Sequence, residues 1–444
     1  MNFFHFNKRQ KQILLFGGGL LVYLTLNMQR VAIPGTIFNE LQRTFHASAS
    51  ALANLSTGFM CAYAIAQLPA GIFVDRYGGM KVLLYSGISL TIGALLFPFA
   101  KSYLPLYLSR IFMGFGGGFI YLSIVKETNR LFPKNFSAVM GLVFLFGYAG
   151  AFLATTPLVK LTHALGWRYA MLIFGILCFF SITIILLLWH TREPIARSTI
   201  SYGIKNYKKA FLNSNNLKLI FTQGVNFGLY YVILTIFGKK FLEDIIHLSP
   251  TVASICCAFM VIIPAIGNQF TGTLSMKLGN KRRPFIRLAS FFPFLSSLLF
   301  LTASLPIIPG FLCGYLFTSS FLIFSIYAAF GTMTSSIARE VNPAEETGIG
   351  VGIVNFSGYM MVAIWGTVVG LILDLFKSGA QILTNGTILY PNTAYQTIFI
   401  IFLIVTAFAF WLSLKIPETN GKNIYSGKEK TYHFFRFIKI TLHS

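Results

Sequence analysis

The sequence predicts an all-α polytopic membrane protein with about twelve membrane-spanning helices. Of its 444 residues, 55% are hydrophobic and only 11% are charged, and the mean hydropathy is +0.70. Soluble domains carry roughly 25% charged residues. The chain therefore lacks the polar surface that water requires, and we expect lipid to surround most of it.

Apolar runs long enough to cross a bilayer recur from end to end. A crossing helix needs about 20 apolar residues, and these runs are too long and too continuously apolar for the alternating strands of a barrel. The first run has no small-residue cleavage site, so we expect a retained helix rather than a cleaved signal peptide. The predicted spans lie near residues 12–34, 50–73, 80–100, 104–130, 137–160, 168–190, 217–242, 250–276, 284–304, 307–335, 347–375 and 394–415.

The formal net charge of +23 could indicate a nucleic-acid-binding protein. Such a protein needs its basic residues on one soluble surface, whereas here they lie in short gaps that alternate between rich and poor in Lys and Arg. This alternation sets the orientation of membrane proteins. With the first residues in the cytoplasm, nine of the 35 basic residues fall on outer loops or in outer or middle parts of spans: Arg30, Arg43, Lys101, Arg110, Lys160, Arg168, Lys239, Lys240 and Lys377. The other 26 lie on or near the cytoplasmic side. We therefore predict cytoplasmic termini and no nucleic-acid partner. The high usage of Phe, Ile, Asn and Lys suggests an AT-rich bacterial genome and hence a bacterial inner membrane.

A polar, basic segment divides the chain into two pseudo-symmetric halves of six predicted spans each. It contains five basic residues, Arg192, Arg197, Lys205, Lys208 and Lys209. The predicted organisation is a first six-helix half over 1–189, a cytoplasmic linker over 190–217, a second half over 218–416 and a basic cytoplasmic tail over 417–444.

The loops after the second and eighth spans repeat one pattern. Residues 71–81 read GIFVDRYGGMK and residues 272–282 read GTLSMKLGNKR. At an offset of 201 positions the paired residues are Gly71 with Gly272, Arg76 with Lys277, Gly78 with Gly279 and Lys81 with Arg282. Many transporters are built from internal repeats at half-chain distance.

The first copy resembles the GxxxDRxGxxx(K/R) loop signature of the major facilitator superfamily, and the span count and loop position agree with it. The resemblance implies the major facilitator fold and a conformational role for Gly71, Asp75, Arg76 and Gly78. The glycines would allow a tight turn between helices. Asp75 would lie near the N-terminal end of the eleventh helix, where a carboxylate is stabilised by the helix dipole, and would hold the outward-open state. Met276 replaces the aspartate in the second copy, so we expect no such latch there.

Other segments extend the resemblance. Arg110, Gly114 and Gly116 are similar to the family's fourth-helix motif, and residues 416–421 resemble its usual ending. The fifth span departs from the GxxxGPxxGG pattern of drug/proton antiporters, which disfavours drug efflux. Residues 29–31, 67–69, 126–133, 156–157 and 166–168 resemble a narrower branch. That branch holds bacterial phagosomal amino-acid transporters and relatives of lysosomal dipeptide transporters.

Charged side chains inside spans are candidates for function because each costs about 2.5–3.5 kcal/mol at mid-membrane on insertion scales. Arg30 offers a planar fork to a carboxylate or phosphate; alternatively, it extends to the outer interface. We assign Arg110, Lys126 and Glu127 to coupling or gating, with a paired or solvated helix end as the alternative for the last two. Lys239 and Lys240 lie near the outer end of the seventh span, and we expect at least one of them at the outer interface.

Polar residues within spans complete the predicted substrate site. With Arg30, the candidates are Asn27, Tyr63, Gln67, Tyr121, Tyr148, Asn226, Tyr230, Asn355 and Tyr359, and the second half also offers Gln223, Tyr231, Asn268 and Gln269 to the cavity. Each could instead form only a hydrogen bond between helices.

The acidic residues suggest how transport is driven. None of the twelve lies securely at mid-membrane, and Glu127, Asp374 and Glu40 are the nearest candidates for coupling. Proton symport needs a titratable group in the pathway, so uniport or exchange is favoured, with a proton or an exchanged anion as the partner. The cavity should be net positive and prefer a carboxylate, a phosphate or the acidic end of a zwitterion. We expect a small polar nutrient or metabolite, with an amino acid, short peptide or other carboxylate favoured.

We predict a permease that works by alternating access, is monomeric and needs no cofactor or metal. No GxSxG, HExxH or P-loop motif suggests an enzyme. One rival is an organic-phosphate exchanger, a family with a second arginine in the seventh helix, where this chain has Tyr230 and Tyr231. The other rival is a transporter-like membrane sensor that does not transport.

Overall fold

The computed structural model describes residues 7–191, 204–343, 347–384 and 386–425. In that part of the chain, twelve helices are long and apolar enough to cross a membrane. We name them α1 to α12 in order: Lys8–Ala32, Ala49–Tyr77, Gly79–Phe99, Tyr103–Leu131, Val139–Leu165, Trp167–Leu187, Ser214–Ile245, Pro250–Lys277, Arg283–Ala303, Gly310–Glu340, Gly348–Leu375 and Asn392–Ser413. No end differs from its predicted position by more than five residues.

Local capping defines the starts of three spans. Asn7 forms a reciprocal capping box with Gln10 at the start of α1, and Ser48 and Ser249 accept hydrogen bonds from backbone N–H groups in the first turns of α2 and α8. These side chains satisfy N–H groups that have no partner within the helix. These three starts therefore follow from residues next to them in the sequence.

Three spans are irregular in ways that the sequence analysis did not predict. Helix α5 is interrupted at Ala154 and Thr155, just before Pro157. Helix α10 contains a 3₁₀ turn at Tyr327–Phe330. In α7, two π-helical stretches, Ile220–Gly224 and Ile233–Phe237, flank the α-helical segment Val225–Val232. Such stretches re-aim the side chains between them and are frequent at functional sites.

An even number of spans places the start of α1 and the end of α12 on the same side of the membrane, which we call the terminal face; the other side is the distal face. The predicted linker, 190–217, lies partly outside the described residues. Its described part includes the helix Ile204–Phe211, and Tyr207 on that helix donates a hydrogen bond to the Leu68 carbonyl of α2 (3.0 Å).

The two halves are in close contact on the distal side. Asp374, near the end of α11, accepts hydrogen bonds from the backbone N–H groups of Ala49 (2.9 Å) and Ser50 (3.1 Å) at the start of α2. Ser254 of α8 bonds to Thr156 of α5 (3.2 Å). These contacts close the distal face between both pairs of helices that line the boundary between the halves.

The distal loop between α11 and α12 contains a short antiparallel pair of strands. Strand β1 is Gln381–Ile382 and strand β2 is Ile388–Leu389, with Gln381 opposite Leu389 and Ile382 opposite Ile388. The Ile388 carbonyl accepts a hydrogen bond from Lys240 of α7 (2.8 Å). This contact attaches the hairpin to the distal end of the second half.

The expectation that Lys239 or Lys240 lies at the outer interface is wrong. Their exposed fractions are 5% and 1%. Lys239 pairs with Glu243 (2.9 Å) and Lys240 with Asp244 (2.8 Å), each partner one helical turn away. An opposite charge at i+4 lies on the same helix face, so each pair is neutral and can be buried.

Asp374→Asn should weaken the distal closure. The carboxylate lies at the N-terminus of α2, where a negative charge contributes about 0.3–1 kcal/mol, and an amide accepts on one atom only. We expect the ratio of distal-closed to distal-open protein to fall about two- to fivefold. In a cysteine-free background, spin labels at Lys101→Cys and Ile307→Cys, on distal loops of the two halves, would report a longer distance. Lys377→Gln, a charge change three residues from Asp374, should leave that distance unaltered. An unaltered distance in Asp374→Asn as well would refute the role of Asp374 in closing the distal face.

Candidate functional site

Arg30 lies inside the helix bundle rather than at the distal interface. It occupies the last turn of α1 and is 7% exposed. One terminal nitrogen, Nη1, donates to the hydroxyl of Tyr359 on α11 (3.1 Å), and the other, Nη2, donates to the Oδ1 atom of Asn27. The Nε atom is buried and has no partner. The guanidinium thus joins the two halves and retains a donor that no described residue satisfies.

Aromatic side chains from three helices surround this guanidinium. Arg30 lies over the ring of Tyr231 on α7, 5.2 Å from its centroid. The ring of Tyr231 packs against Phe227 (4.5 Å), Phe227 against Tyr359 (5.1 Å), and Tyr359 against Tyr63 of α2 (4.4 Å). We call Tyr63, Phe227, Tyr231 and Tyr359 the aromatic cage. Ring faces attract cations, so the cage stabilises the arginine without neutralising it.

A second group of hydroxyls belongs to α1, α4 and α5. Tyr23, which shares a helical face with Asn27 and Arg30, packs against Tyr121 of α4, with ring centroids 6.0 Å apart. Tyr148 of α5 accepts a hydrogen bond from the Nδ2 atom of Asn268 on α8 (2.8 Å). Tyr148 therefore also bridges the halves.

The remaining predicted binding residues have other surroundings. Tyr230 donates to the Met260 carbonyl (2.6 Å), and Asn226 donates to the Ser290 hydroxyl (3.3 Å), so both bind neighbouring helices of the second half. The Oδ1 atom of Asn226 and the Oε1 atom of Gln67 are buried and unpartnered. Asn355 is half-buried on α11. For Tyr230, the structure shows the interhelical hydrogen bond that was its alternative.

A groove opens between α5 and α8 on the terminal side of the bundle. Its volume is about 580 Å³, and it is lined by Gly141, Leu142, Leu145, Tyr148, Ala265, Ile266, Gln269 and Phe270. Tyr148, the residue bonded to Asn268, is part of this lining. The same two helices are in contact on the distal side through Ser254 and Thr156.

Arg110 connects helices rather than facing a cavity. It is fully buried and donates to three backbone carbonyls: those of Leu55 (3.1 Å), Gln29 (3.0 Å) and Ile33 (3.2 Å). Its guanidinium also lies over the Phe59 ring, 4.3 Å from the centroid. Arg110 therefore fixes the distal end of α1 against α2 and α4, directly beside Arg30.

The loop signature forms a charged cluster at the terminal ends of α2 and α4. Asp75 accepts a hydrogen bond from Lys126 (2.6 Å). Glu127, 1% exposed, accepts from Arg130 (2.9 Å) and from the Met80 backbone N–H (3.2 Å). The sequence predicts a contact between Asp75 and the start of α11. Residues 344–346, just before that helix, lie outside the described residues.

The glycines and basic residues of the signature differ in what they do. Gly78 has a φ of +86° at the turn between α2 and α3, a conformation that glycine adopts without strain. Gly71 lies within α2, and a Cβ added there would have nothing within 4 Å, so the expectation that it shapes the turn is wrong. Arg76 is exposed and lies over the Tyr77 ring.

In the second copy of the signature, Arg282 forms an ion pair with Glu340 at the end of α10 (3.0 Å). Thr419 donates a hydrogen bond to the same carboxylate (2.5 Å). The pairing of Arg282 with Lys81 in the two copies does not predict this connection, because Glu340 lies 58 positions away in the sequence. The loop of the second half is thus held by a residue pair of its own.

Two residues around Arg30, Tyr23 and Phe227, are not among the predicted cavity residues. A helical signal exists for each. Tyr23 precedes Asn27 by four positions, and Phe227 precedes Tyr231 by four, and residues at that spacing share a face. The sequence offers Tyr230 and Tyr231 equally, because it does not show which face of α7 points to the centre.

Gly114→Ala should destabilise the pairing of α2 and α4. A Cβ at Gly114 would lie 2.2 Å from the Phe59 carbonyl oxygen, and neither backbone can yield without moving a helix. We expect a loss of about 1–3 kcal/mol, read as a lower thermal unfolding midpoint in detergent. Gly314→Ala is the matched control because nothing lies within 4 Å of its Cβ position. Equal midpoints for the two variants would contradict the close approach.

Comparison with known proteins gives short matches to several kinds of transporter. A multidrug resistance protein B homolog of Mycobacterium tuberculosis is 30% identical over 148 residues, 31% of this chain and 26% of that protein. Probable anion transporter 6 of Arabidopsis thaliana is 27% identical over 37% of this chain and 32% of its own length. Human monocarboxylate transporter 11 is 26% identical over 32% of this chain and 30% of its own length. The matches span less than a third of each of these three relatives.

Solved structures match over nearly the whole chain. A bacterial homolog of the human lysosomal transporter Spinster, inward-facing and unoccupied, has a TM-score of 0.68 at 16% identity, over 91% of this chain and 97% of that one. The nucleoside transporter NupG has a TM-score of 0.70 at 15% identity, over 92% and 100%. These likenesses show the fold. Residues 15–367 match the family model of the Major Facilitator Superfamily, and with twelve spans in this fold the chain is an integral membrane protein that belongs to that family of transporters.

Proposed function

We propose that this transporter moves a small organic carboxylate across the membrane by alternating access, with an amino acid or short peptide as the leading candidates. The observation that carries the proposal is Arg30. It is buried, it has an unpartnered Nε donor, and no carboxylate of the described residues lies within ion-pair distance of it. A buried cation without a counter-ion is costly, and a substrate anion would neutralise it.

The geometry favours one carboxylate over a phosphate. A guanidinium can donate two parallel hydrogen bonds to a carboxylate, and the cage would pack against the apolar part of the substrate. A phosphate carries more charge, and the phosphate-exchanger hypothesis needs a second cation on α7. Tyr231 faces Arg30 from that helix, which supports a singly charged group. The relatives are named for drugs, anions and monocarboxylates, so their names do not identify one substrate class. The proposed class therefore rests on the residues around Arg30.

The acidic residues support uniport or exchange rather than proton symport. Glu127 is paired with Arg130, Asp374 caps α2, and Glu40 lies 3.8 Å from Arg43. All three are at helix ends, away from Arg30. An empty carrier would have to reorient an unpaired cation, whereas a loaded carrier would be neutral. We therefore favour exchange.

We place the terminal face in the cytoplasm of a bacterial cell, with the chain acting as a monomer. The excess of basic residues on that face supports this orientation. With the distal face closed and a groove between α5 and α8 on the terminal side, the conformation would be one closed to the outside. An Asp75 latch that holds the outward-open state would be released in this conformation, in agreement with its pairing to Lys126. We retain 1–189 and 218–416 as the two moving halves, with 190–217 as linker and 417–444 as tail.

Uptake into proteoliposomes tests the proposal. The panel holds labelled amino acids, dipeptides and monocarboxylates, each beside its carboxamide, together with sugar phosphates. We expect one carboxylate to enter while its amide does not, and faster entry into vesicles preloaded with the same compound. Exchange of phosphorylated compounds only would favour the organic-phosphate rival. A ligand that raises thermal stability but never enters would favour the sensor.

A further inference from the structure

A second cavity lies far from Arg30, where α9 and α12 reach the terminal face. Its volume is about 540 Å³, and its lining residues are Lys281, Arg283, Pro284, Arg287, Leu288 and Glu418. We call it the basic pocket. Helix α9 begins at Arg283 and α12 ends at Ser413, so the pocket lies at the level where these helices leave the membrane.

Two arginines converge in the basic pocket without a counter-ion. Arg283 and Arg287, one helical turn apart, both donate from Nη2 to the same carbonyl, that of Leu414 (3.1 and 3.3 Å). Neither forms an ion pair with a described carboxylate, and the Nε atom of each is buried without a partner. Like charges at this spacing repel one another. The neighbouring Arg282, in contrast, is paired with Glu340.

The one acid of the pocket is already occupied. Glu418 accepts hydrogen bonds from the backbone N–H groups of Arg282 (2.8 Å) and Arg283 (3.0 Å), and further ones from Thr419 and Asn420. Burial raises the pKa of this carboxyl, but these N–H groups outweigh it, so the pKa lies below its ordinary value. Glu418 thus caps α9, and the three cations leave the pocket net positive.

The surface beside the basic pocket is apolar. Leu288, Trp411 and Leu414 are 43%, 42% and 40% exposed, and Phe291, on the face of α9 that carries Arg287, packs against Phe410 of α12. A soluble anion would gain nothing from such a surface, whereas acyl chains would cover it. Basic pockets between helices at this depth suit anionic head groups.

We propose that the basic pocket binds the phosphate of an anionic phospholipid, held by Arg283, Arg287 and Lys281, with its acyl chains along α9 and α12. The lipid would neutralise the two converging guanidinium groups and tie α9 to α12 at the end that follows the second loop signature. The site is separate from Arg30 and does not depend on what is transported.

Lipid binding to the full-length protein tests this site. Purified protein in detergent is titrated with phosphatidylglycerol or phosphatidylcholine, and thermal midpoints and lipid retained in native mass spectra are recorded. Arg283→Gln/Arg287→Gln is compared with Arg9→Gln/Lys11→Gln, which removes two charges from the same face. We expect phosphatidylglycerol to stabilise wild type and the control, and to bind about tenfold or more weakly to the pocket variant. Lys281→Gln, a change at an exposed loop position, should weaken phosphatidylglycerol binding by a smaller factor. It replaces the double variant in this test if the double variant does not fold.

Two results would overturn the proposal. One is equal retention of phosphatidylglycerol by the pocket variant and the control. The other is stabilisation of wild type by inorganic phosphate as strong as that by phosphatidylglycerol, which would assign the pocket to a soluble anion. Substrate uptake is not part of this readout, so failure here leaves the transport proposal untouched.

Discussion

Arg30→Ala is expected to lower the initial rate of carboxylate uptake at least about 100-fold. The substitution removes the bidentate donor, and each charge-assisted hydrogen bond contributes about 1.5–3 kcal/mol. Two such bonds correspond to about 3–6 kcal/mol, which far exceeds the contribution of any single cage residue. Arg30→Lys keeps the charge but not the fork, so its uptake should fall between those of wild type and Arg30→Ala.

Thermal stability separates a binding defect from a folding defect in this experiment. Arg30 is a buried cation without a described counter-ion, so its removal should leave the unfolding midpoint unchanged or raise it. Added carboxylate should stabilise wild type and not Arg30→Ala. Arg43→Ala, a substitution of a 38%-exposed side chain on the distal side, is the control and should transport normally. Uptake by Arg30→Ala at the wild-type rate would refute the proposal that Arg30 binds the substrate carboxylate.

Arg110→Leu is expected to show the opposite pattern, a large loss of stability. Leucine fills part of the volume but removes the side-chain donor of the carbonyls of Gln29, Ile33 and Leu55. The Leu55 carbonyl lies inside α2 and keeps its helical partner, whereas those of Gln29 and Ile33 lie at the end of α1. A buried polar group that loses its partner costs about 1–3 kcal/mol, so these two together should cost at least about 2 kcal/mol. The fluorescence-detected unfolding midpoint in detergent and the yield of monodisperse protein would both fall.

The control for Arg110→Leu is Arg9→Leu, which removes an exposed charge on the terminal face. Arg110→Lys has one nitrogen in place of three and should recover only part of the lost stability. No added carboxylate should rescue Arg110→Leu, because the side chain binds backbone and not substrate. A variant that folds as wild type but fails to transport would move Arg110 from the scaffold to the transport pathway.

The number, order and approximate ends of the spans could be read from the sequence. In lipid each crossing helix must satisfy its own backbone hydrogen bonds, so a span is a local property of about 20 residues. The repeat of residues 71–81 at 272–282 likewise needed only the sequence. For the same reason Arg30 could be picked out, since a charge in an apolar run is conspicuous wherever that helix packs.

Only the tertiary structure shows which face of each helix points to the centre of the bundle. A soluble helix shows its buried side by a polar and an apolar face, but a membrane helix is apolar towards lipid and towards its neighbours. Tyr230 and Tyr231 are therefore equivalent in the sequence, although one binds the Met260 carbonyl and the other packs on Arg30. The sequence likewise predicts an interface position for Lys239 or Lys240, whereas in the structure each is buried and paired with an acidic residue along α7.

Arg30 and Arg110 show most clearly which features follow from the sequence and which depend on tertiary packing. By itself the sequence determined that this chain is a twelve-span protein of the major facilitator kind with two arginines inside the membrane. Only the packing decided that Arg110 is satisfied by three carbonyls while Arg30, beside it, keeps an unpartnered nitrogen among aromatic rings. The physical reason is that hydropathy is a property of one helix, whereas the satisfaction of a buried charge depends on every helix around it.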